Sequence, residues 1–328
     1  MITKFRCSIL TAALLLSPLV FAQTEADPFS FVAIGDMPYG NAKTAYPLYR
    51  ALIGVINGFA PDFTIHIGDI KSGSTECSDE EFANQKAFFN TFASALVYTP
   101  GDNEWTDCHR EDAGSYDPLE RLAKMREMFY PSALTLGKQP FKLERQAELM
   151  PQYKTYVENS RFVKNGLLFV QVHMVGSNNN FETRDMAAIR EFIARDAANI
   201  AWLEDSFKAA QARKVKGVVV SMQADIFDSA AYYGDFPRHS GFAESVGNTL
   251  LPAAQAFGKP VLIIHGDSHI FRIDRPFTDE EGEVIQNVMR LEVFGEDDID
   301  GVRVMVNPNA PNGSMFAFQP IWGASWVK

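Results

Sequence analysis

FSFVAIGDMPY, residues 29–39, joins an apolar run directly to a glycine and an aspartate. The same order recurs in three further segments, DFTIHIGD at 62–69, ALVYTPGD at 95–102 and VLIIHGDSH at 261–269. Short runs rich in β-branched and aromatic residues that end at a turn signal are typical of buried strands. Open α/β sheets build their sites at strand ends, so we expect the aspartates of these segments at one edge of the fold. They are Asp36, Asp69, Asp102 and Asp267.

The chain as a whole alternates short apolar runs with longer amphipathic stretches, which predicts a layered α/β domain. Strands are expected at Phe29–Ile34, Asp62–Ile67, Ala95–Thr99, Leu167–Val175, Val218–Met222 and Val261–His265. Helices are expected at Tyr46–Phe59, Leu119–Phe129 and Arg184–Arg213, the last either continuous or broken once. Near the end, turn signals separate three short strands, which predicts antiparallel pairing at a sheet edge. These strands cover Val288–Phe294, Val302–Val306 and Met315–Phe318.

Residues 1–22 have the pattern of a secretory signal peptide. Lys4 and Arg6 precede an apolar run from Ile9 to Phe21, and Ala22 follows it. A membrane anchor is the competing interpretation, but the run is shorter than the roughly 20 residues that a spanning helix needs. We therefore expect a periplasmic or secreted protein in which residues 23–328 form a single domain.

Charge and cysteine content limit the classes of binding partner and the cellular compartment that we expect. The net charge is −11, and loss of Lys4 and Arg6 makes it more negative, which disfavours binding to nucleic acid or to anionic membranes. Of the three cysteines, Cys7 falls in the signal peptide. The remaining pair, Cys77 and Cys108, is expected to form a disulfide because such bonds persist outside the cytosol. Two free thiols are the alternative.

Aspartates that converge at one rim predict a metal centre. Carboxylates in a partly desolvated site repel one another, and cations among them remove that conflict. Glycines precede all four aspartates and permit the sharp turns that such a centre needs. Gln223, which ends the Val218–Met222 run, and His269, two residues after Asp267, bring further donor side chains to strand ends.

The order and spacing of these blocks resemble the calcineurin-like metallophosphoesterases, whose blocks run Asp-x-His, Gly-Asp, Gly-Asn-His-Asp/Glu, a lone His and Gly-His-x-His. The resemblance covers nearly all of the chain after the signal peptide. It implies two mixed β-sheets layered as a sandwich between helices, and two divalent metal ions. By the same resemblance Asp69 would bridge the ions, Asp36 and His269 would bind the first, and Asp102, Gln223 and Asp267 would complete the second.

Several positions depart from the pattern of that family. Pro38, Gln223 and Asp267 stand where the family has histidine, and Asp102-Asn103 replaces its Asn-His. At the second metal each replacement still supplies an oxygen, which favours Mg²⁺, Ca²⁺, Mn²⁺ or iron over zinc. Pro38 supplies no ligand.

Proton donors and substrate contacts are less well defined by the sequence. Asn103 occupies the position of the histidine that assists the leaving group, but an amide cannot deliver a proton. Glu104 and His239 are candidates for that role, and a leaving group that needs no acid is the alternative. Arg238 and the amides of Asn178 and Asn179 are candidates for contacts with phosphate.

The expected activity is hydrolysis of a phosphate mono- or diester, on a small phosphorylated substrate, by a metal-activated water. The alternative is a catalytically weak protein that uses the same cations to bind a phosphorylated ligand, a reading motivated by Pro38 and Asn103. A structural or interaction protein without metal is a third hypothesis, and no residue pattern supports it.

Overall fold

The computed structural model describes residues 1–2, 26–227, 240–279, 281–311 and 313–323. Residues 3–22 of the expected signal peptide lie outside these ranges. The strands are β1 (Phe29–Ile34), β2 (Phe63–His66), β3 (Ala95–Tyr98), β4 (Leu136–Gly137), β5 (Glu144–Arg145), β6 (Ser160–Lys164), β7 (Leu167–Gln171), β8 (Gly217–Ser221), β9 (Val261–His265), β10 (Arg272–Asp274), β11 (Val288–Glu292), β12 (Gly301–Val306) and β13 (Phe316–Ile321).

These strands form two mixed sheets. The first has the order β13-β12-β1-β2-β3-β4, and the second has the order β10-β11-β9-β8-β7-β6-β5. Strands β1, β2 and β3 run parallel, as do β7, β8, β9 and β11. Parallel neighbours end on the same side of a sheet, so each sheet collects several strand ends at one edge.

The sheets pack face to face through apolar side chains. Phe31 and Phe63 of the first sheet share one buried cluster with Phe169 and Ile264 of the second. The rings of Phe63 and Phe169 meet edge to face with centroids 5.0 Å apart. The sandwich is thus closed by an aromatic core, and the opposite face of each sheet is covered by helices.

The α-helices are Ala42–Phe59, Asp79–Phe89, Pro118–Phe129, Gln146–Leu149, Met186–Ala212 and Leu251–Phe257, with a π-helical stretch at Ala243–Leu250. Shorter 3₁₀ turns lie at Thr106–His109, Pro151–Tyr153 and Ser240–Phe242. Side-chain oxygens of Asn41, Ser78, Asp117 and Asp185 cap four of the helices. No helix among the described residues is both long and apolar enough to cross a membrane.

The architecture confirms the predicted sandwich of two mixed sheets flanked by helices. The stretch Arg184–Arg213, expected with or without a break, is the single helix Met186–Ala212. One expectation is corrected. The strand predicted at Val288–Phe294 does not pair with either of the other two late strands, because β11 lies in the second sheet, parallel to β9 and antiparallel to the edge strand β10. The strands β12 and β13 form the expected antiparallel edge of the first sheet.

Candidate metal centre

The four aspartates that follow β1, β2, β3 and β9 meet at the rim of the two sheets. One carboxylate oxygen from each of Asp69, Asp102 and Asp267 lies within 4.8 Å of the others. Asp36 joins this group because its Oδ1 accepts a hydrogen bond of 3.2 Å from the backbone N–H of Asp267. The sequence-predicted aspartates are therefore neighbours in space.

The backbone at these strand ends turns sharply to bring the carboxylates together. Asp36, Asp69 and Asp267 have φ values of 51°, 55° and 75°, in the left-handed region that aspartate tolerates better than most residues. Gly101 and Gly266 allow close approaches, because a Cβ at either position would lie 1.9 Å from a carboxylate oxygen, Oδ1 of Asp69 or Oδ2 of Asp36 respectively. Residues with positive φ cluster at functional sites when the surrounding structure holds them in place.

Asp69 is held by two neighbouring side chains. Asn103 donates to Asp69 from its backbone N–H at 3.1 Å and from its side-chain amide at 2.8 Å. The Tyr39 hydroxyl donates to the same carboxylate at 2.8 Å and packs edge to face against the ring of His269. Sequence analysis did not identify Tyr39, although it directly follows Pro38. Its hydroxyl also accepts a hydrogen bond of 2.7 Å from the Asn103 amide.

Gln223 and His269 also reach the rim. The amide of Gln223 donates to Oδ1 of Asp267 at 3.2 Å, while its carbonyl oxygen accepts from the Gly176 N–H at 2.6 Å. His269 places Nε2 3.8 Å from Oδ1 of Asp36 and Nδ1 3.2 Å from a carboxylate oxygen of Glu296. A carboxylate behind a histidine fixes its ring orientation. Glu296 is a second residue that sequence analysis missed.

Burial and mutual repulsion dominate the electrostatics of this cluster. Desolvation raises the pKa of Asp36 and of Asp69 well above the usual carboxyl value, and the nearby carboxylates of Asp267 and Asp102 raise these pKa values further. The pKa values of Asp102 and Asp267 are raised for the same first reason, loss of water contact. Protons or cations are needed for these groups to stay close together.

Three of the expected catalytic and substrate-binding residues form hydrogen bonds within the fold. Glu104 is fully buried and accepts hydrogen bonds from the Tyr98 hydroxyl and the Gly101 N–H, which connects it to the Asp102 loop. Asn179 is also buried and donates to the carbonyl oxygen of Gly241. Asn178 is partly buried, and its side-chain oxygen accepts from the Gly241 N–H. Arg238 and His239 lie outside the described residues.

Cys77 and Cys108 form a disulfide with their Cα atoms 5.7 Å apart, which confirms the predicted bridge. Cys77 lies in the loop that follows Asp69, and Cys108 lies in the 3₁₀ turn Thr106–His109 that follows Asp102. The bond therefore ties together two loops that carry carboxylates of the cluster.

The residues present fit divalent cations. Oδ2 of Asp36 and Oδ1 of Asp102 are buried, and neither has a hydrogen-bond partner among the described residues. Unpaired buried carboxylate oxygens are costly, and a cation satisfies them. Because the donors are carboxylate, amide and phenol oxygens with one imidazole, the set suits Mg²⁺, Mn²⁺ or Ca²⁺ better than zinc.

Comparisons with known proteins support the fold. No protein-family model matches the sequence, and a search of curated proteins finds no significant match. Among solved structures, a dimetal phosphatase from Danio rerio is 11% identical, with 90% of this chain and 99% of that chain covered and a TM-score of 0.52. A purple acid phosphatase from yellow lupin (Lupinus luteus) seeds is 13% identical, with a TM-score of 0.52 over 90% of this chain and 54% of the lupin chain. The chain therefore has the fold of the calcineurin-like metallophosphoesterases.

Proposed function

We propose that the protein is an exported, metal-dependent phosphoesterase that hydrolyses a phosphate mono- or diester. The observation that carries this proposal is the close approach of the Asp69, Asp102 and Asp267 carboxylates, within 4.8 Å of one another at the rim where the sheets end. The fold of the similar phosphatases and the disulfide between Cys77 and Cys108 support the proposal and the export, respectively.

Two divalent cations would be held by residues from both sheets. We assign Asp36 and His269 to the first cation, Asp102, Gln223 and Asp267 to the second, and Asp69 to both. Such cations would withdraw charge from the phosphoryl oxygens and make water a better nucleophile near neutral pH. The role of the protein is to hold these donor side chains in place.

The side chains around Asp69 orient this carboxylate without supplying a proton. The Asn103 amide donates to Asp69 at 2.8 Å and to the Tyr39 hydroxyl at 2.7 Å, and the Tyr39 hydroxyl donates to Asp69 in turn. These bonds fix one side of the Asp69 carboxylate. An amide cannot act as a general acid, so either His239 supplies the proton or the substrate has a leaving group that departs without one. Arg238 is a proposed phosphate contact.

Turnover of phosphate esters tests this function. Metal-free protein is supplied in turn with Mn²⁺, Mg²⁺ and Ca²⁺ and assayed on aryl and alkyl phosphates, with Asp69→Asn as the control. We expect metal-dependent hydrolysis that is faster on aryl phosphates, because phenolates leave without proton transfer. Equal rates for the wild type and Asp69→Asn would contradict the proposal.

The second candidate function is metal-dependent binding of a phosphorylated ligand without efficient turnover. It is favoured by one observation, the engagement of the Asn103 amide with Asp69 and Tyr39, which leaves the leaving-group side without an identified acid. A protein that binds Mn²⁺ and a non-hydrolysable phosphonate but turns over no ester would support this second function.

A further inference from the structure

An unusual backbone segment borders the proposed metal centre. Ser177, Asn178, Asn179 and Asn180 have φ values of 50°, 52°, 57° and 60°, so four successive residues form a left-handed turn. Left-handed geometry costs an L-residue about 1–2 kcal/mol, and asparagine less than most. A run of this kind persists only where the surrounding structure holds it in place.

A buried arginine holds the turn from the side of the long helix. Arg195, in the helix Met186–Ala212, is fully buried and donates to the side-chain oxygen of Asn179 at 2.5 Å and to its backbone carbonyl oxygen at 2.9 Å. The same guanidinium donates to the carbonyl oxygen of His173 at 2.9 Å and stacks over the ring of Trp105. Glu191 pairs with it at 2.7 Å, so its charge is compensated.

The 3₁₀ turn Ser240–Phe242, which directly precedes the π-helix, holds the left-handed turn from the other side. The Gly241 N–H donates to the side-chain oxygen of Asn178 at 2.9 Å, and the Gly241 carbonyl oxygen accepts from the Asn179 amide at 2.9 Å. Asn180 donates to Glu191 at 2.9 Å. All three asparagines are thus engaged in bonds that stabilise the turn itself, and only Ser177 is left to contact the carboxylate cluster.

Ser177 directs its hydroxyl at the metal centre. Its Oγ lies 2.8 Å from Oδ2 of Asp102 and 3.2 Å from Oδ1 of Asp107. A hydroxyl has one proton to donate, and the shorter distance favours Asp102. This bond occupies one oxygen of Asp102, while the other, Oδ1, is buried and has no hydrogen-bond partner among the described residues.

We propose that Ser177 is a positioning residue of the metal centre, and that the left-handed turn exists to place its hydroxyl on Asp102. The bond fixes the rotation of the Asp102 carboxylate so that Oδ1 serves as the metal ligand. This inference rests on the proposed function, because it assigns Asp102 to a cation. In this inference Ser177 does not contact the cation but orients Asp102, which does.

Three variants separate this role from a purely structural one. Ser177→Gly removes the hydroxyl but suits a positive φ, so the unfolding temperature stays the same or rises. Ser177→Thr keeps a hydroxyl but places a β-branched residue at positive φ, so the unfolding temperature falls. Ser115→Gly is the matched control, because Ser115 is also exposed with a φ of 55° and lies outside the carboxylate cluster.

Calorimetric titration of the metal-free variants with Mn²⁺ gives the deciding readout. Loss of a side chain that supports a ligand typically weakens metal binding about 10- to 100-fold, and we expect about tenfold weaker binding at one site in Ser177→Gly. Ser177→Thr and Ser115→Gly should bind as the wild type does. Wild-type affinity in Ser177→Gly overturns the role of Ser177 alone. Absence of Mn²⁺ binding by the folded wild type overturns the proposed function and this inference with it.

Discussion

At the scale of single residues, Asp69 is the centre on which the proposed site depends. It follows β2, is almost fully buried, and lies beside Asp102 and Asp267 with its carboxylate fixed by Asn103 and Tyr39. A buried carboxylate among others is unfavourable without a positive partner. Removal of this carboxylate should therefore abolish the stabilisation by metal and should raise the stability of the metal-free protein.

Replacement of Asp69 by asparagine tests this expectation. Asp69→Asn should abolish Mn²⁺ binding and phosphatase activity, and should raise the unfolding temperature of the chelator-treated protein because one repelling charge is gone. Asp62→Asn is the matched control at the opposite end of the same strand, where Asp62 pairs with Lys164 at 2.5 Å. Metal content equal to that of the wild type in Asp69→Asn would contradict the assignment.

A second prediction concerns the space that glycine leaves at the rim. A Cβ at Gly176 would lie 2.5 Å from Oδ1 of Asp267 and 2.9 Å from Oδ2 of Asp102, so Gly176→Ala should displace both carboxylates and weaken Mn²⁺ binding in calorimetry. Gly54→Ala is the control, since its Cβ would meet nothing within 4 Å in the helix Ala42–Phe59. That change should raise the free energy of unfolding by up to about 1 kcal/mol without affecting metal affinity. Unchanged affinity in Gly176→Ala would be inconsistent with the cluster as described.

The aspartates and His269 could be predicted from the sequence because each follows an apolar run, and strand ends converge in this class of fold. Tyr39, Ser177 and Glu296 could not. Each reaches the site through an irregular turn, and Ser177 and Glu296 themselves have positive φ. The path of such turns depends on tertiary contacts, such as those of Arg195, and not on spacing along the chain.

At the scale of elements, the strands with continuous apolar sequence were predicted best. Phe29–Ile34 and Val261–His265 have the predicted bounds, because strands buried on both faces read as unbroken apolar runs. The helix Asp79–Phe89 was missed, since its buried residues include Gln85 and it lacks a clear apolar stripe. The partner of Val288–Glu292 was mistaken because parallel pairing with β9 depends on a crossover and not on a local turn.

The disulfide joins the loop that follows Asp69 to the 3₁₀ turn that follows Asp102, and it leads to a prediction about stability. The cysteines are 31 residues apart in sequence, and closing a loop of this length is worth about 4 kcal/mol in the unfolded chain. Replacing both by serine should lower the free energy of unfolding by about this amount in urea denaturation, and should weaken Mn²⁺ binding because the joined loops follow Asp69 and Asp102. An unchanged free energy of unfolding would show that the bridge does not constrain these loops.

At the scale of the whole molecule, the proposed metal centre draws its residues from both sheets. Asp36, Asp69 and Asp102 extend from the first sheet, while Gln223 and Asp267 extend from the second. The aromatic core fixes the distance between the sheets, and carboxylates from the two sheets meet at the rim. The number of sheets was implied by the resemblance to a family and not by the apolar pattern, which specifies strands but not how they divide between layers.

This arrangement predicts how stability depends on pH. In the metal-free protein, burial and neighbouring carboxylates raise the pKa values of Asp36, Asp69 and Asp267 above those of the unfolded chain. The folded state then holds more protons than the unfolded state, so stability is lost as pH rises through the folded-state pKa values. Bound cations would replace those protons and remove this loss of stability.

Calorimetric scans can measure this effect directly. The difference in unfolding temperature between the Mn²⁺-loaded and the chelator-treated protein should widen as the pH rises above the ordinary carboxyl pKa, because only the metal-free form loses stability. The Asp69→Asn variant should show little difference at any pH. A wild-type difference that stays constant over this range would mean that the carboxylates are not the groups that bind the cation.

Anomalous diffraction from crystals of the wild-type protein grown with Mn²⁺ tests the central claim most directly. The account predicts strong anomalous peaks among the carboxylates of Asp36, Asp69, Asp102 and Asp267, with Asp69 in contact with two of them. A well-ordered structure from such crystals with no anomalous peak at this rim would contradict the account.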